Sequence, residues 1–341
     1  MQLDSDFIRA QFPAFSEPAL SGRAFFENAG GSYPCAPVVE RLTRFYRERK
    51  VQPYGPYEAS RLAGEEMDEA RRRLAAMLNV ATEELSFGPS TTANTYVLAQ
   101  AFRQAMKPGE AIVVTDQDHE ANSGPWRRLA GDGIEVREWR MDPETGHLDP
   151  ADLARLLDGD VRLVCFPHCS NVVGEVNDVA AICRMVHDAG AVACVDGVSY
   201  APHGLPDVEA LGADIYLFSA YKTYGPHQGL MTITRELGER LPEQGHFFNA
   251  DTLCKRFTPA GRIMRRWRPR RGWRTISTLS TPAICPNTPN RRNGRVRCTT
   301  CSARTRRGSC SRCSIISRPG MPSVCWVRAR PGTARRPWRW S

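Results

Sequence analysis

Short apolar runs recur through the middle of the chain, and the stretches between them place apolar residues at helical spacing. The runs at 84–87, 110–114, 134–138, 162–166, 191–195, 214–218 and 230–234 have strand length and strand composition. Helical spacing covers 37–50, where a proline occupies the first turn, and 64–78, which ends before Asn79. It returns over 92–106, 124–129, 150–157 and 179–188. Strands that alternate with helices predict an α/β fold, a mostly parallel sheet with helices on both faces. In such sheets ligands gather outside the carboxyl ends of the strands.

Two strand ends carry chemistry. The run ending at Phe218 delivers Lys222 into a turn rich in hydroxyls and glycine, and the run ending at Val195 delivers Asp196. A desolvated lysine has a lowered pKa and a nucleophilic amine. A carboxylate nearby can hold a proton on a pyridine nitrogen, so the pair fits a pyridoxal phosphate site. Taken singly, each residue reads as a surface lysine or a helix cap. Ser90, Thr91 and Thr92 set hydroxyls and amides at a helix N-terminus, which serves as a cap or as an anion site. His119 follows the strand at 110–114 and is placed to lie over a cofactor ring, or else to cap the next helix. Asn171 follows the strand at 162–166 and is either a donor to a ring hydroxyl or a turn amide.

Composition divides the chain near residue 261. Residues 262–341 hold 21 arginines with no lysine, aspartate or glutamate, which leaves 25 basic and 37 acidic residues in 1–261, a net of −12. Five of seven tryptophans and six of twelve cysteines lie in that basic tail. A nucleic-acid-binding arm normally mixes lysine with arginine and carries few tryptophans. A zinc ribbon is suggested by Cys298, Cys301, Cys310 and Cys313, but the flanks show no strand pattern. The third reading, a shifted reading frame in a GC-rich gene, explains the excess of Arg, Pro, Ser, Cys and Trp. Met264–Arg265 and Trp267–Arg268 each contain an alanine codon in the shifted frame if CGN arginine codons are used. The composition favours this third reading. The expected domains are an N-terminal segment 1–20, a catalytic body 21–261, and an unstructured tail 262–341. The N-terminus shows no secretory signal and no run has transmembrane length, so a cytoplasmic protein is expected. The body's cysteines, 35, 165, 169, 183, 194 and 254, read mostly as reduced core thiols.

Several segments together resemble the class V aminotransferase superfamily, fold-type I pyridoxal phosphate enzymes that include the cysteine desulfurases. Phe26-Glu-Asn-Ala-Gly-Gly-Ser32 is similar to the family's LDNAATS stretch, and Thr91-Thr92 to its phosphate-binding threonines. Asp118-His-Glu-Ala-Asn122 resembles EHHAN, Ser170-Asn-Val-Val-Gly174 resembles SNVLG, and Asp196-Gly197 matches the pyridinium-binding DG. Phe218-Ser-Ala-Tyr-Lys-Thr-Tyr-Gly225 is similar to FSGHKLYGP. The resemblance covers roughly 20–261. It implies Lys222 as the Schiff-base lysine, His119 stacked on the ring, and Ser219 and Tyr221 at the phosphate. It further implies an amino-acid substrate and a homodimer, with neither membrane nor nucleic acid as partner. Asp118 replaces the family's glutamate, Ser199 stands where many desulfurases have glutamine, and Tyr221 where they have histidine. These departures point to a divergent desulfurase-like or aminotransferase-like branch. The small C-terminal domain, with its substrate-binding arginine, persulfide cysteine and partner-subunit phosphate threonine, has no match after Gly261. The chain as written is therefore expected to be inactive or poorly folded.

Overall fold

A computed structural model describes residues 4–259. Seven strands form one sheet: β1 (Leu85–Gly88), β2 (Ala111–Thr115), β3 (Glu135–Trp139), β4 (Val161–Pro167), β5 (Val192–Asp196), β6 (Ile215–Ser219) and β7 (Gly229–Ile233). Their order is β1-β7-β6-β5-β4-β2-β3. Neighbours from β6 to β3 pair in parallel, while β7 runs antiparallel to both β1 and β6. The sheet is thus mostly parallel, and each strand matches its predicted run to within about a residue or two.

Burial on both faces explains why these strands read as continuous apolar runs rather than as alternating ones. On one face Val113, Phe166, Val195 and Phe218 pack under α3 (Glu58–Leu78), α6 (Pro150–Leu156) and α7 (Val179–Asp188). On the other, Ile112, Leu163, Cys194 and Leu217 pack under α4 (Thr91–Ala105), α5 (Glu120–Arg127) and α9 (Arg235–Arg240). Each fully buried leucine or isoleucine contributes about 1.5–3 kcal/mol. The remaining α-helices of the described residues are α1 (Ser5–Ala10), α2 (Ala36–Arg44), α8 (Val208–Leu211) and α10 (Leu253–Arg256).

Three helix boundaries differ from expectation. The helix expected from residue 64 begins at Glu58, because Gly64 makes room for Tyr54 rather than breaking the helix; a Cβ there would lie 2.7 Å from the tyrosine ring. The helix expected from 124 begins at Glu120 and carries Pro125 inside it, anchored by buried Trp126. The one expected over 37–50 turns into a π-helix over Phe45–Arg49. Cys165, Cys183, Cys194 and Cys254 are buried free thiols, whereas Cys35 and Cys169 are half-buried. Among the described residues no helix is long and apolar enough to cross a membrane. The cysteines and arginines of 262–341 lie outside the described residues.

Candidate active site

The carboxyl ends of β1, β2, β4, β5 and β6 open onto one cavity of about 240 Å³. Its walls include every residue expected from the sequence at the cofactor site: Ser90, Thr91, Thr92, His119, Asn171, Asp196, Ser199, Ser219, Tyr221 and Lys222.

One end of the cavity is the N-terminus of α4. Ser90 caps this helix, its hydroxyl accepting from the Ala93 amide at 3.1 Å. Thr91 and Ser219 share a hydroxyl hydrogen bond of 2.7 Å that ties the helix to the end of β6. The helix start also lies against β7, where Gly229 leaves no room for a side chain. A Cβ there would sit 2.3 Å from the Ser90 carbonyl carbon and 2.6 Å from the Thr91 nitrogen. Those are backbone atoms and cannot rotate away. Gly229→Ala should therefore lower stability by about 2–3 kcal/mol and weaken anion binding at α4. Urea denaturation with a phosphate titration checks this, and parent-like values in both would contradict it.

Asp196, the last residue of β5, is 4% exposed. Among the described residues its carboxylate takes one hydrogen bond, from the Val198 amide at 2.7 Å, and no ion pair within 4 Å reaches it. Burial raises its pKa; the hydrogen bond from the Val198 amide and the neighbouring His119 and Lys222 act in the other direction. Asp118 lines the same cavity, its carboxylate held by the His119 amide and the Asn122 side chain, each at 2.8 Å. Burial, then the nearby Asp196, pushes Asp118 well above the usual carboxylate range. His119 caps α5 by accepting from the Ala121 amide at Nδ1, 3.0 Å away, which leaves Nε2 to carry the proton of the neutral ring. The capping role and a place at the cavity thus coincide.

Behind Asp196 lies a buried aromatic layer. Tyr216 packs under Gly197 so closely that a Cβ on the glycine would be 2.1 Å from the phenol. The Tyr216 hydroxyl meets His168 Nδ1 at 2.9 Å, and His168 stacks on Tyr200 at 3.6 Å. Burial lowers the His168 pKa from 6.5 to about 4. The folded state therefore excludes a proton that the unfolded chain binds, and stability falls as pH drops from 6.5 towards about 4. At about 1.4 kcal/mol per pH unit the loss approaches about 3 kcal/mol. His168→Gln should flatten that part of a stability–pH curve measured by urea unfolding; an unchanged slope would remove His168 as its cause.

Lys222 ends the 3-10 turn Ala220–Lys222 that follows β6. Its amine is half-buried, and this desolvation lowers its pKa against the opposing pull of Asp196. The turn is closed on the Ala220 carbonyl, which accepts from the Thr223 and Gly225 amides at 2.9 and 2.8 Å. Tyr224 adopts a left-handed backbone, φ 63°. That conformation costs a bulky residue about 1–3 kcal/mol and persists only where the surroundings hold it. Tyr221 stacks on His227 at 4.8 Å, and both reach the cavity.

Cys169, His227 and Asp118 are cavity residues that the motif reading did not assign. Cys169 adjoins the Ser170-Asn171 pair and His227 lies in the turn leading into β7, so proximity to the motifs was the available clue.

Comparison with known proteins agrees with this architecture. The family described as aminotransferase class-V matches residues 24–250. The chain is 38% identical over 251 residues to the aminotransferase-like protein FGM3 of Gibberella zeae, covering 72% of this chain and 61% of that protein. It is 33% identical to a cysteine desulfurase of Serratia proteamaculans, covering 71% and 61%. The fold superposes on the Escherichia coli cysteine desulfurase CsdA with a TM-score of 0.64 and 27% identity, covering 72% of this chain and 62% of that one. A cysteine desulfurase from Thermococcus onnurineus NA1 gives 0.65 and 27%, covering 71% and 59%. The chain thus spans about three fifths of the length of these relatives. With the matched family covering most of the described residues, the chain belongs to the class V aminotransferases, the pyridoxal phosphate-dependent superfamily that includes the cysteine desulfurases.

Proposed function

We propose that the cavity binds pyridoxal phosphate on Lys222 and that the protein acts on an amino acid, with cysteine desulfuration as the leading reaction. The observation that carries this reading is the pairing of a half-desolvated amine, Lys222, with a buried carboxylate, Asp196, that lacks a cationic partner among the described residues. A buried carboxylate left alone is costly, and a protonated ring nitrogen would compensate it. The amides and hydroxyls at the start of α4 supply donors for a phosphate. The donor set therefore fits the cofactor.

When bound, pyridoxal phosphate supplies an electron sink for bonds broken at the α-carbon of an amino acid. In this reading Lys222 would hold the cofactor through its amine, and the same amine, when free, would move the proton at the substrate α-carbon. Asp196 would keep a proton on the ring nitrogen, His119 would pack on the ring face, and Asn171 would donate to the ring hydroxyl. Ser90, Thr91, Thr92, Ser219 and Tyr221 would orient the phosphate, and Ser199 would stand beside the ring. Transamination is the second reading, favoured by Ser199 and Tyr221 at the positions where many desulfurases carry glutamine and histidine. A homodimer in the cytoplasm belongs to the same proposal.

The test is to incubate the chain with pyridoxal phosphate, reduce with borohydride and map the labelled peptide. The chain has four lysines, at 50, 107, 222 and 255, so the assignment is unambiguous. Label on Lys222 with a visible absorption band supports the site; label elsewhere removes it. Incubation with cysteine, scored for alanine and sulfide, then separates desulfuration from amino transfer to a 2-oxo acid. We further propose that residues 262–341 are translated from a shifted frame, supported by 21 arginines without one acidic residue. Reading the gene in the other frames after the Gly261 codon tests it: a continuation resembling the family's small domain supports the shift, and its absence removes it.

A further inference from the structure

The turn that carries Lys222 is not held by its own strand alone. The segment around Ser32, which precedes α2 and lies about 190 residues earlier in sequence, bonds to the backbone on both sides of the lysine. The Ser32 amide and hydroxyl both donate to the Tyr221 carbonyl, each at 2.9 Å. The same hydroxyl accepts from the Tyr224 amide at 2.9 Å. Three residues on, the Cys35 amide donates to the Tyr224 carbonyl at 3.2 Å. Tyr224 is the residue in the left-handed conformation, and Phe12 packs edge-on against its ring at 5.3 Å. Gly31 lets the segment approach, since a Cβ there would lie 3.1 Å from the Tyr221 ring.

We infer that Ser32 is a positioning residue for Lys222: its hydroxyl clamps the backbone before and after the lysine and thereby holds the amine in the cavity opposite Asp196. This rests on the reading of Lys222 as the cofactor-bearing amine. A hydroxyl suits the task because it donates and accepts at once. Alanine does neither, threonine does both, and a thiol does both weakly. Without the clamp the Tyr224 conformation loses a hydrogen bond that supports it, and the turn can relax towards solvent. The amine then gains water and its pKa returns towards that of an exposed lysine. The charged and titratable groups that share the cavity with it are Asp196 at the end of β5, Asp118 and His119 before α5, Cys169 after β4, Tyr221 beside it and His227 before β7.

The experiment uses the full chain free of pyridoxal phosphate, labelled with trace acetic anhydride over a pH series and read lysine by lysine by mass spectrometry. Exposed Lys50 and Lys107 serve as internal references. In the parent, Lys222 should titrate below both. In Ser32→Ala it should move towards them, and capture of added pyridoxal phosphate at Lys222 should slow by about fivefold, the scale of one lost hydrogen bond. Ser32→Thr should behave as the parent. An unchanged Lys222 profile in folded Ser32→Ala overturns the inference, as does a parent profile that already coincides with Lys50. Should Ser32→Ala fail to fold, Ser32→Cys must show an intermediate displacement, and a parent-like profile there overturns it equally. A displaced profile in a protein that captures no pyridoxal phosphate would keep the clamp and remove the cofactor reading. Normal capture in every variant would do the reverse.

Discussion

Lys222→Ala is expected to give a folded protein that holds no pyridoxal phosphate covalently and shows no visible absorption band after dialysis. The alanine removes the one lysine amine that lines the cavity. Any turnover should fall on the order of 10⁶-fold, the scale of losing a covalent nucleophile. Stability should change by no more than about 1 kcal/mol, because two effects oppose each other. The desolvation of the lysine is relieved, while buried Asp196 loses a favourable positive field. Lys222→Arg separates charge from nucleophilicity. Its guanidinium restores the positive field but stays protonated and cannot condense with an aldehyde. Both variants should therefore lose the band, and the arginine should keep the parent's tolerance of high pH better. A band that survives in either variant would mean that another group holds the cofactor.

Asp196→Asn should act in opposite directions on the empty and the loaded protein. Burial raises the Asp196 pKa, so the fold favours the protonated carboxyl. The cost of ionising it is absent below the ordinary carboxylate pKa and grows as pH rises through the raised folded value. Asparagine keeps the acceptor for the Val198 amide and removes that cost. The cofactor-free variant should match the parent near pH 4 and be the more stable near pH 8 (values set roughly by the ordinary carboxylate range). Loss of the Asp196 charge also relieves Asp118, whose pKa should fall. Retention of pyridoxal phosphate should weaken by about 10²- to 10³-fold, the cost of leaving a buried positive ring nitrogen without its partner. Urea unfolding at the two pH values and a cofactor titration read both effects. Parent-like affinity in the variant would show that Asp196 does not face the ring nitrogen.

Much of this architecture was legible in the residues. The ends of β5 and β6 were visible because strands buried on both faces must be apolar throughout, and the first polar residue after each marks its exit. The start of α4 was visible because Ser90 is a strong capping residue after a short strand. The start of α5 was not, since Gly124-Pro125 looks like a helix beginning; packing of Trp126 into the core outweighed the amide that proline lacks. The whole length of α3 was hidden by Gly64, whose role is a contact with Tyr54. Nothing local in Ser32 or His168 announced their bonds to Tyr221 and Tyr216, because those partners lie 189 and 48 residues away.

The sequence by itself determined which segments are strands, which residue types stand at their carboxyl ends, and the family to which the chain belongs. These follow from local periodicity, capping and motif spacing, which act over a turn or a strand. Only the tertiary structure decided that β7 runs antiparallel between β1 and β6, that Gly229 seats the start of α4, and that a serine near the N-terminus braces the turn of Lys222. The physical reason is that strand order and register bring together groups far apart in the chain, and the free energy of those contacts belongs to the pair and to neither segment alone.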